Sequence, residues 1–391
     1  MNLDILIRTY VSENSSELIS LITELMRIPS PTGKEQDRAE YCRGFLQRSG
    51  AKDVRVDDAR NVICTIEGVD TSGFHIFSAH MDTVFPETVL PELSKEGDTL
   101  RGPGVGDNTA NLAVLLMCAR FLLQNALKPR RTVLFVCNSC EEGEGNLLGM
   151  RTLMKNLAKK PESCVAFDGY INQVTNRAVG STRYKIEVTT QGGHSFFDFG
   201  APNAIVHVAE LIGKLNSVKL PTHYTTTFNF GRIEGGISVN TIAPYASVLY
   251  EYRSEDQLCL DHMEGEFNKV MSSCSTDSAT VTTNVIGSRP GSRGVNELAL
   301  AAFTERNVEC IRKYYPDEIT VGAASTDSNI PLSMGIPSNT IGTVLGGGAH
   351  TYQEWISLSS LEHGFPAAIE IVCRVAGLLD DASNCYSPST Q

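Results

Sequence analysis

Apolar residues along the chain follow two rhythms that alternate with each other. Short continuous runs at 62–66, 74–79, 133–137 and 163–167 predict strands buried on both faces, because a strand exposed on one side would alternate with polar residues. Between them, apolar residues return every three to four positions. Leu18, Ile19, Leu21, Ile22, Leu25 and Met26 predict a helix over 15–27, with Ser15 or Ser16 able to cap it and Pro29 to Gly33 ending it. Further helices are expected over 34–48, stopped by Gly50, and over 109–124 and 145–158. A short strand at 54–56 and a turn at 57–61 lead into the first long run. Strand, turn and helix repeating in this way predict an α/β fold with a mostly parallel, doubly wound sheet, whose ligands bind outside the carboxyl ends of the strands.

The rhythm changes near Ser181. Residues 183–190 alternate strictly, followed by a helix over 202–215, strands at 225–230 and 246–252, a helix over 255–271 and a strand at 280–285. Strand-helix-strand-strand-helix-strand is the order of a ferredoxin-like α+β unit. The chain therefore reads as a catalytic domain, 1–180 and 291–391, interrupted by an inserted domain, 181–290, with the turn-rich stretch 287–291 as its far boundary. The parallel pattern then returns in a helix over 296–313, strands at 319–322 and 339–342 and a closing helix over 358–379; the tail 383–391 reads as disordered.

Composition narrows the classes of partner. The 391 residues suffice for two cores, and a formal net charge of -12 argues against a nucleic-acid backbone or an anionic membrane surface. No apolar run approaches the ~18–20 residues of a membrane span. The 11 cysteines show no repeated CxxC spacing and several, including Cys64, Cys118, Cys137, Cys164 and Cys373, lie in apolar runs, so they read as reduced core residues rather than disulfide or thiolate-metal partners. With no basic and apolar leader after Met1, the expected compartment is the cytosol.

The chemistry is expected at the strand ends. Glu141 and Glu142 follow the run 133–137 directly, and two carboxylates in a desolvated turn call for a cation. Neighbouring side chains on a turn diverge, so Glu142 can ligate a metal while Glu141 handles a proton. His80 and Asp82 follow the run 74–79, and an acid so placed can hold the imidazole in one tautomer while its other nitrogen binds metal. Asp107 ends a glycine-rich turn, 101–108, that lacks the GK[ST] of a phosphate loop and completes no GxGxxG. Asp168 follows the run 163–167, and His350 lies in the Gly346 to Trp355 stretch. His80, Asp107, Glu142, Asp168 and His350 make a ligand set for zinc, with cobalt or manganese as alternatives, and five ligands sharing one bridging carboxylate suit two ions better than one.

These motifs, together with Gly192-Gly193-His194-Ser195, resemble the di-zinc metallopeptidase family of peptidase T, carboxypeptidase G, aminoacylase and succinyl-diaminopimelate desuccinylase. The resemblance runs through nearly the whole chain in the family's order and spacing. It implies that His80 and Asp168 serve one ion and Glu142 and His350 the other, with Asp107 bridging, Asp82 orienting His80 and Glu141 as general base. It further implies that the 181–290 domain is a lid that dimerises, that His194 contacts the substrate carbonyl or oxyanion, commonly across the dimer, and that Asn240 and Arg253 hold a substrate carboxylate. The expected activity is hydrolysis of an amide bond beside a free carboxylate in a small peptide: the ions acidify the attacking water and Glu141 passes its proton to the leaving nitrogen. Similarity to the peptidase T branch rests on Phe167-Asp168-Gly169 and Ser325-Thr326-Asp327. The alternatives are a deacylase of N-acyl amino acids and a metal-poor binding relative, the latter at odds with an intact Glu141. Competing structural readings are helix caps for Asp107 and Asp168, buried structural histidines for His80 and His350, a loop residue for His194 and a surface salt bridge for Arg253.

Overall fold

The structure, a computed structural model, describes residues 2–86, 93–274 and 278–378. They form two compact units, Met1–Asn176 with Gly294–Gln391, and Arg177–Arg293. In the first, α1 (Leu3–Met26) begins well before the expected Ser15, because Ile7 and Tyr10 are already buried and the Asn2 side chain caps the start by accepting from Asp4 N. Ser15 is interior to it, and its hydroxyl bonds back to Val11 O. Next come α2 (Gln36–Arg48), β1 (Asp53–Val56), β2 (Val62–Ile66), β3 (Asp70–His80), the short β4 (Ser94–Glu96) and β5 (Thr99–Arg101), then α3 (Asn111–Gln124), β6 (Arg131–Asn138), α4 (Leu148–Asn156), β7 (Ser163–Phe167) and β8 (Gln173–Ala178). The helix expected from residue 145 starts later, since Asn146 and Leu147 take left-handed backbone angles.

The second unit contains β9 (Gly180–Thr190), the two-residue β10 (Gly193–His194), α5 (Ala204–Asn216), β11 (Thr226–Gly235), β12 (Thr241–Ile242), β13 (Tyr245–Ser254), α6 (Gln257–Ser272) and β14 (Ala279–Arg289). Its antiparallel sheet has the order β11-β13-β9-β14, the arrangement that strand-helix-strand-strand-helix-strand yields in a ferredoxin-like unit. Residues 287–289, expected as a turn, continue β14 through an irregularity between Val285 and Gly287.

Back in the first unit lie α7 (Glu297–Arg312), β15 (Thr320–Ala324), α8 (Asn329–Ser333), β16 (Ser338–Ile341), β17 (Leu345–Gly347), β18 (Trp355–Ser357) and α9 (Leu361–Val375). The ends of the expected closing helix at residue 379 and of the tail at 383–391 lie outside the described residues. The main sheet runs β1-β2-β6-β3-β7-β16-β8-β15. Its centre, β6, β3, β7 and β16, is parallel, while β2 joins β6, β1 joins β2 and β8 joins β16 antiparallel. β8 was not legible as a strand, because its Gln173 to Ala178 sequence is polar. Helices cover both faces. Along β6, Val133, Phe135 and Cys137 enter one core with α1, α3 and α9, while Leu134 and Val136 enter another with α4, which is why the run looks continuously apolar. The ten described cysteines carry free thiols, and all but Cys274 are buried. Among the described residues no helix is long and apolar enough to cross a membrane.

Because β3 runs parallel between β6 and β7, the carboxyl ends of the three strands emerge at one edge of the sheet. Farther back, His75 lies between Val133 and Ser163 in register, with Nδ1 2.9 Å from Ser163 Oγ. Burial, helped by the Arg131 and Arg306 guanidinium groups, pulls its imidazole down to about 4, although Glu162, which pairs with Arg131 at 3.3 Å, lies 3.6 Å from its Nε2. The unfolded chain, with a histidine near 6.5, then binds the extra proton between these values, so His75 removes stability as pH falls from about 6.5 to about 4. His75→Asn is expected to flatten the pH dependence of the urea midpoint across that window and leave it unchanged at pH 8.

Candidate metal centre

His80 closes β3 and is buried. Its Nδ1 lies 3.1 Å from the carbonyl of Asp82 and 3.4 Å from the Asp82 carboxylate, which leaves Nε2 facing Asp107 Oδ1 at 3.1 Å and Asp168 Oδ1 at 3.8 Å. Burial by itself would lower this imidazole, but Asp107, Asp168 and Asp82 outweigh it and raise it well above its ordinary value. The pocket demands positive charge.

Asp82 does more than face His80. Its Oδ1 accepts from Glu141 N and its Oδ2 from Glu142 N, each at 2.9 Å, and Thr32 Oγ1 adds a third bond at 3.0 Å. Burial would raise the Asp82 carboxyl, yet His80 and the two amides hold it below its ordinary value. The turn it grips leaves β6 through Cys140, whose φ of +54° is uncommon for a side-chain-bearing residue and is held by Cys140 N donating to the fully buried Glu35 at 3.1 Å. Glu35 had no signal in the sequence beyond being one acid among many in a helix.

Asp107 does not cap a helix. The helix expected from Thr109 begins at Asn111; before it, the chain makes a wider turn in which Asp107 and Asn108 leave helical angles, and the Asp107–Asn108 peptide is cis. The two Asp107 oxygens part company, Oδ1 toward His80 and Oδ2 toward His350 Nε2 at 3.1 Å. Asn108 Nδ2 donates to Phe167 O and Asn111 Nδ2 to Gly169 O, which tie this turn to the end of β7 on either side of Asp168.

His350 sits between β17 and β18 at φ +64°, half exposed, with Nε2 also 3.3 Å from Glu142 Oε1. Asp107 and Glu142 lift its imidazole to about 10 against the opposing effect of burial. Burial, with Asp107 nearby, raises Glu142 in turn. Behind the cluster, buried Asp327 accepts from Asn138 Nδ2 at 2.6 Å and is pushed up to about 7, chiefly by burial.

Three overlapping groups each bring their donor atoms within 4.8 Å of one another: His80, Asp107 and Asp168; Asp107, Glu142 and His350; and His80, Glu141 and Glu142. These residues fit divalent ions on two observations. Glu142 Oε1 is buried and makes no well-aligned hydrogen bond, its one close polar neighbour being the ligand-type nitrogen His350 Nε2 at 3.3 Å, and the nitrogen and oxygen donors are those zinc, cobalt and manganese accept.

In the second unit His194 pairs with Thr241 across β10 and β12 and is exposed. Its Nδ1 accepts from Phe196 N at 3.2 Å, so its proton is on Nε2. Asn240 lies beside it, its carbonyl accepting from Ser195 N at 3.0 Å and its side chain from Ser238. Arg253 lies instead near the end of β13 in the four-stranded sheet, opposite Ser181 of β9, with its guanidinium bidentate to Glu251 at 3.1 Å.

Residues 76–375 match Peptidase family M20/M25/M40. The fold is similar to that of a tripeptidase from Staphylococcus aureus, with a TM-score of 0.75, 23% identity and coverage of 93% of this chain and 99% of that one. It is likewise similar to aminopeptidase PepT from Bacillus cereus, with a TM-score of 0.73, 22% identity and the same coverage. Succinyl-diaminopimelate desuccinylase of Blochmanniella floridana is 22% identical over 284 residues, 66% of this chain and 74% of that protein. With a family match that takes in most of the chain and every residue of the cluster, this protein belongs to peptidase family M20/M25/M40 and is a hydrolytic enzyme.

Proposed function

We propose that the chain is a di-zinc peptidase that cleaves an amide bond next to a free carboxylate in a small peptide. The observation that carries this reading is the pair of donor groups sharing Asp107, with buried Glu141 beside them. His80 and Asp168 would hold one ion, Glu142 and His350 the other, and Asp107 both; zinc is the preferred metal, cobalt or manganese the alternatives. Bound there, the ions supply Lewis acidity to the scissile carbonyl and make water a competent nucleophile at neutral pH.

The chain's own residues supply the rest. Glu141 takes the proton of the attacking water and returns it to the leaving nitrogen, a role that suits a carboxylate whose backbone is pinned through Asp82. His194 donates from Nε2 to the developing oxyanion, and its tautomer is the one this requires. Asn240 and Arg253 take the substrate carboxylate; for Arg253 this means releasing Glu251, its present bidentate partner. The same reading includes a cytosolic homodimer formed through the inserted 181–290 domain, with His194 serving the partner's site.

A second reading, hydrolysis of N-acyl amino acids, is favoured by the likeness to succinyl-diaminopimelate desuccinylase. The two differ only in what lies on the acyl side of the bond. A panel of di- and tripeptides against N-acetyl and N-succinyl amino acids is expected to give turnover of the peptides; turnover of the acyl amino acids alone would move the assignment to the second reading. Glu141→Gln is expected to lower kcat by roughly 10²–10⁴-fold, the usual weight of general acid-base catalysis, and to retain about two equivalents of metal. Metal lost with activity kept would overturn the division of roles between Glu141 and Glu142.

A further inference from the structure

The glycine-rich turn before α3 is built like a receptor for an anion, and the anion it holds belongs to the chain itself. Glu354, fully buried, accepts from three backbone amides of the turn: Gly104 N to Oε2 at 2.7 Å, Gly106 N to Oε1 at 2.7 Å and Asp107 N to Oε1 at 2.6 Å. Its own carbonyl accepts from Gly102 N at 3.0 Å, so one residue binds the turn from 102 to 107 through both backbone and side chain.

Gly106 is explained by this contact rather than by a nucleotide, and Gly104 by its backbone angle. Gly104 has a φ of +80°. A Cβ on Gly106 would meet Glu354 Oε1 at 3.1 Å and Tyr170 Cε1 at 3.2 Å, tighter than ordinary packing. The carboxylate needs the bare backbone on its doorstep.

Glu354 is also four positions beyond His350. Between them the chain folds back on itself, with Thr351 N bonded to Gly348 O and Glu354 N to Thr351 O. β18, which starts at Trp355, pairs with β5, which ends at Arg101 just before the glycine turn. The segments carrying Asp107 and His350 are therefore joined at two levels, by the β5–β18 ladder and by the Glu354 carboxylate. The carboxylate acts on the backbone of Asp107 itself, whose side chain approaches His350 Nε2 to 3.1 Å.

We infer that Glu354 is a positioning residue that sets Asp107 against His350, so that the bridging carboxylate presents its two oxygens to two ions at once. This rests on the di-metal reading proposed above. Both oxygens of Glu354 are acceptors to N–H groups, so an amide in its place would set its NH₂ against a backbone donor. Glutamine is thus nearly isosteric yet wrong, and aspartate is right in charge but one methylene short.

The test uses the full-length protein and zinc as the probe, with uptake measured by equilibrium dialysis against chelator-buffered zinc and the unfolding midpoint of each metal-free form recorded in parallel. Partners one step behind metal ligands typically matter about 10–100-fold in affinity, so Glu354→Gln is expected to weaken zinc uptake by that factor, with Glu354→Asp between it and the wild type. Activity of Glu354→Gln is expected to recover at high zinc, with KM little changed. Gly106→Ala, which crowds the carboxylate from the other side, should move zinc affinity in the same direction. A lowered metal-free midpoint with wild-type zinc affinity in the folded protein would overturn the inference and reduce Glu354 to a structural role. If the wild type took up no zinc, the di-metal reading itself would fall; if the wild type took up about two equivalents and all three variants matched it, only the inference about Glu354 would.

Discussion

Carboxylates gathered where water is scarce are the constraint around which the first unit is arranged. Asp82, Asp107, Glu142, Asp168 and Asp327 all lie close to His80, and burial disfavours the charge of Asp82, Asp107, Glu142 and Asp327. Such a collection persists only when each acid is given something: Asp82 receives two amides and a hydroxyl, Asp327 an amide side chain, and Asp107 two imidazoles. The raised values of His80 and His350 express the same deficit from the other side. A cation of higher charge answers it more completely than two protons, because a single ion meets several acids at once.

The sheet explains why these groups meet. β6, β3 and β7 are adjacent and parallel, so residues that leave their carboxyl ends arrive at a common edge although they are distant in sequence. Asp107 and His350 come instead from connections outside the main sheet, and they are steered by the small β17-β18-β5-β4 sheet. Rigid strands thus fix half of the cluster, and shorter, hydrogen-bonded loops fix the remainder.

Much of this could be read from the chain because burial on both faces leaves a plain trace. Runs such as 133–137 have no polar face, and an acid or histidine directly after one is conspicuous. Polar strands left no such trace: β8 and the short β4, β5, β17 and β18 look like loops. The start of α1 was misjudged because Ser15 and Ser16 resemble a cap, although Ile7 and Tyr10 carry the buried stripe further back. Glu35, Glu354 and the second duty of Asp82 were invisible for a different reason. Each acts by accepting backbone N–H groups of residues remote in sequence, and backbone donors have no letter in the sequence.

The grip of Asp82 on the turn after β6 has one more implication. Its two oxygens take separate amides, one belonging to Glu141 and the other to Glu142, while its own backbone meets His80. Glu141 and Glu142, the base and the ligand of the proposed mechanism, are thereby geared to a common pivot: any drift of the β3 terminus carries them and His80 along in concert. A substitution that shifts the Glu141 backbone cannot leave Glu142 and His80 where they are, because all three hang on one carboxylate-bearing residue.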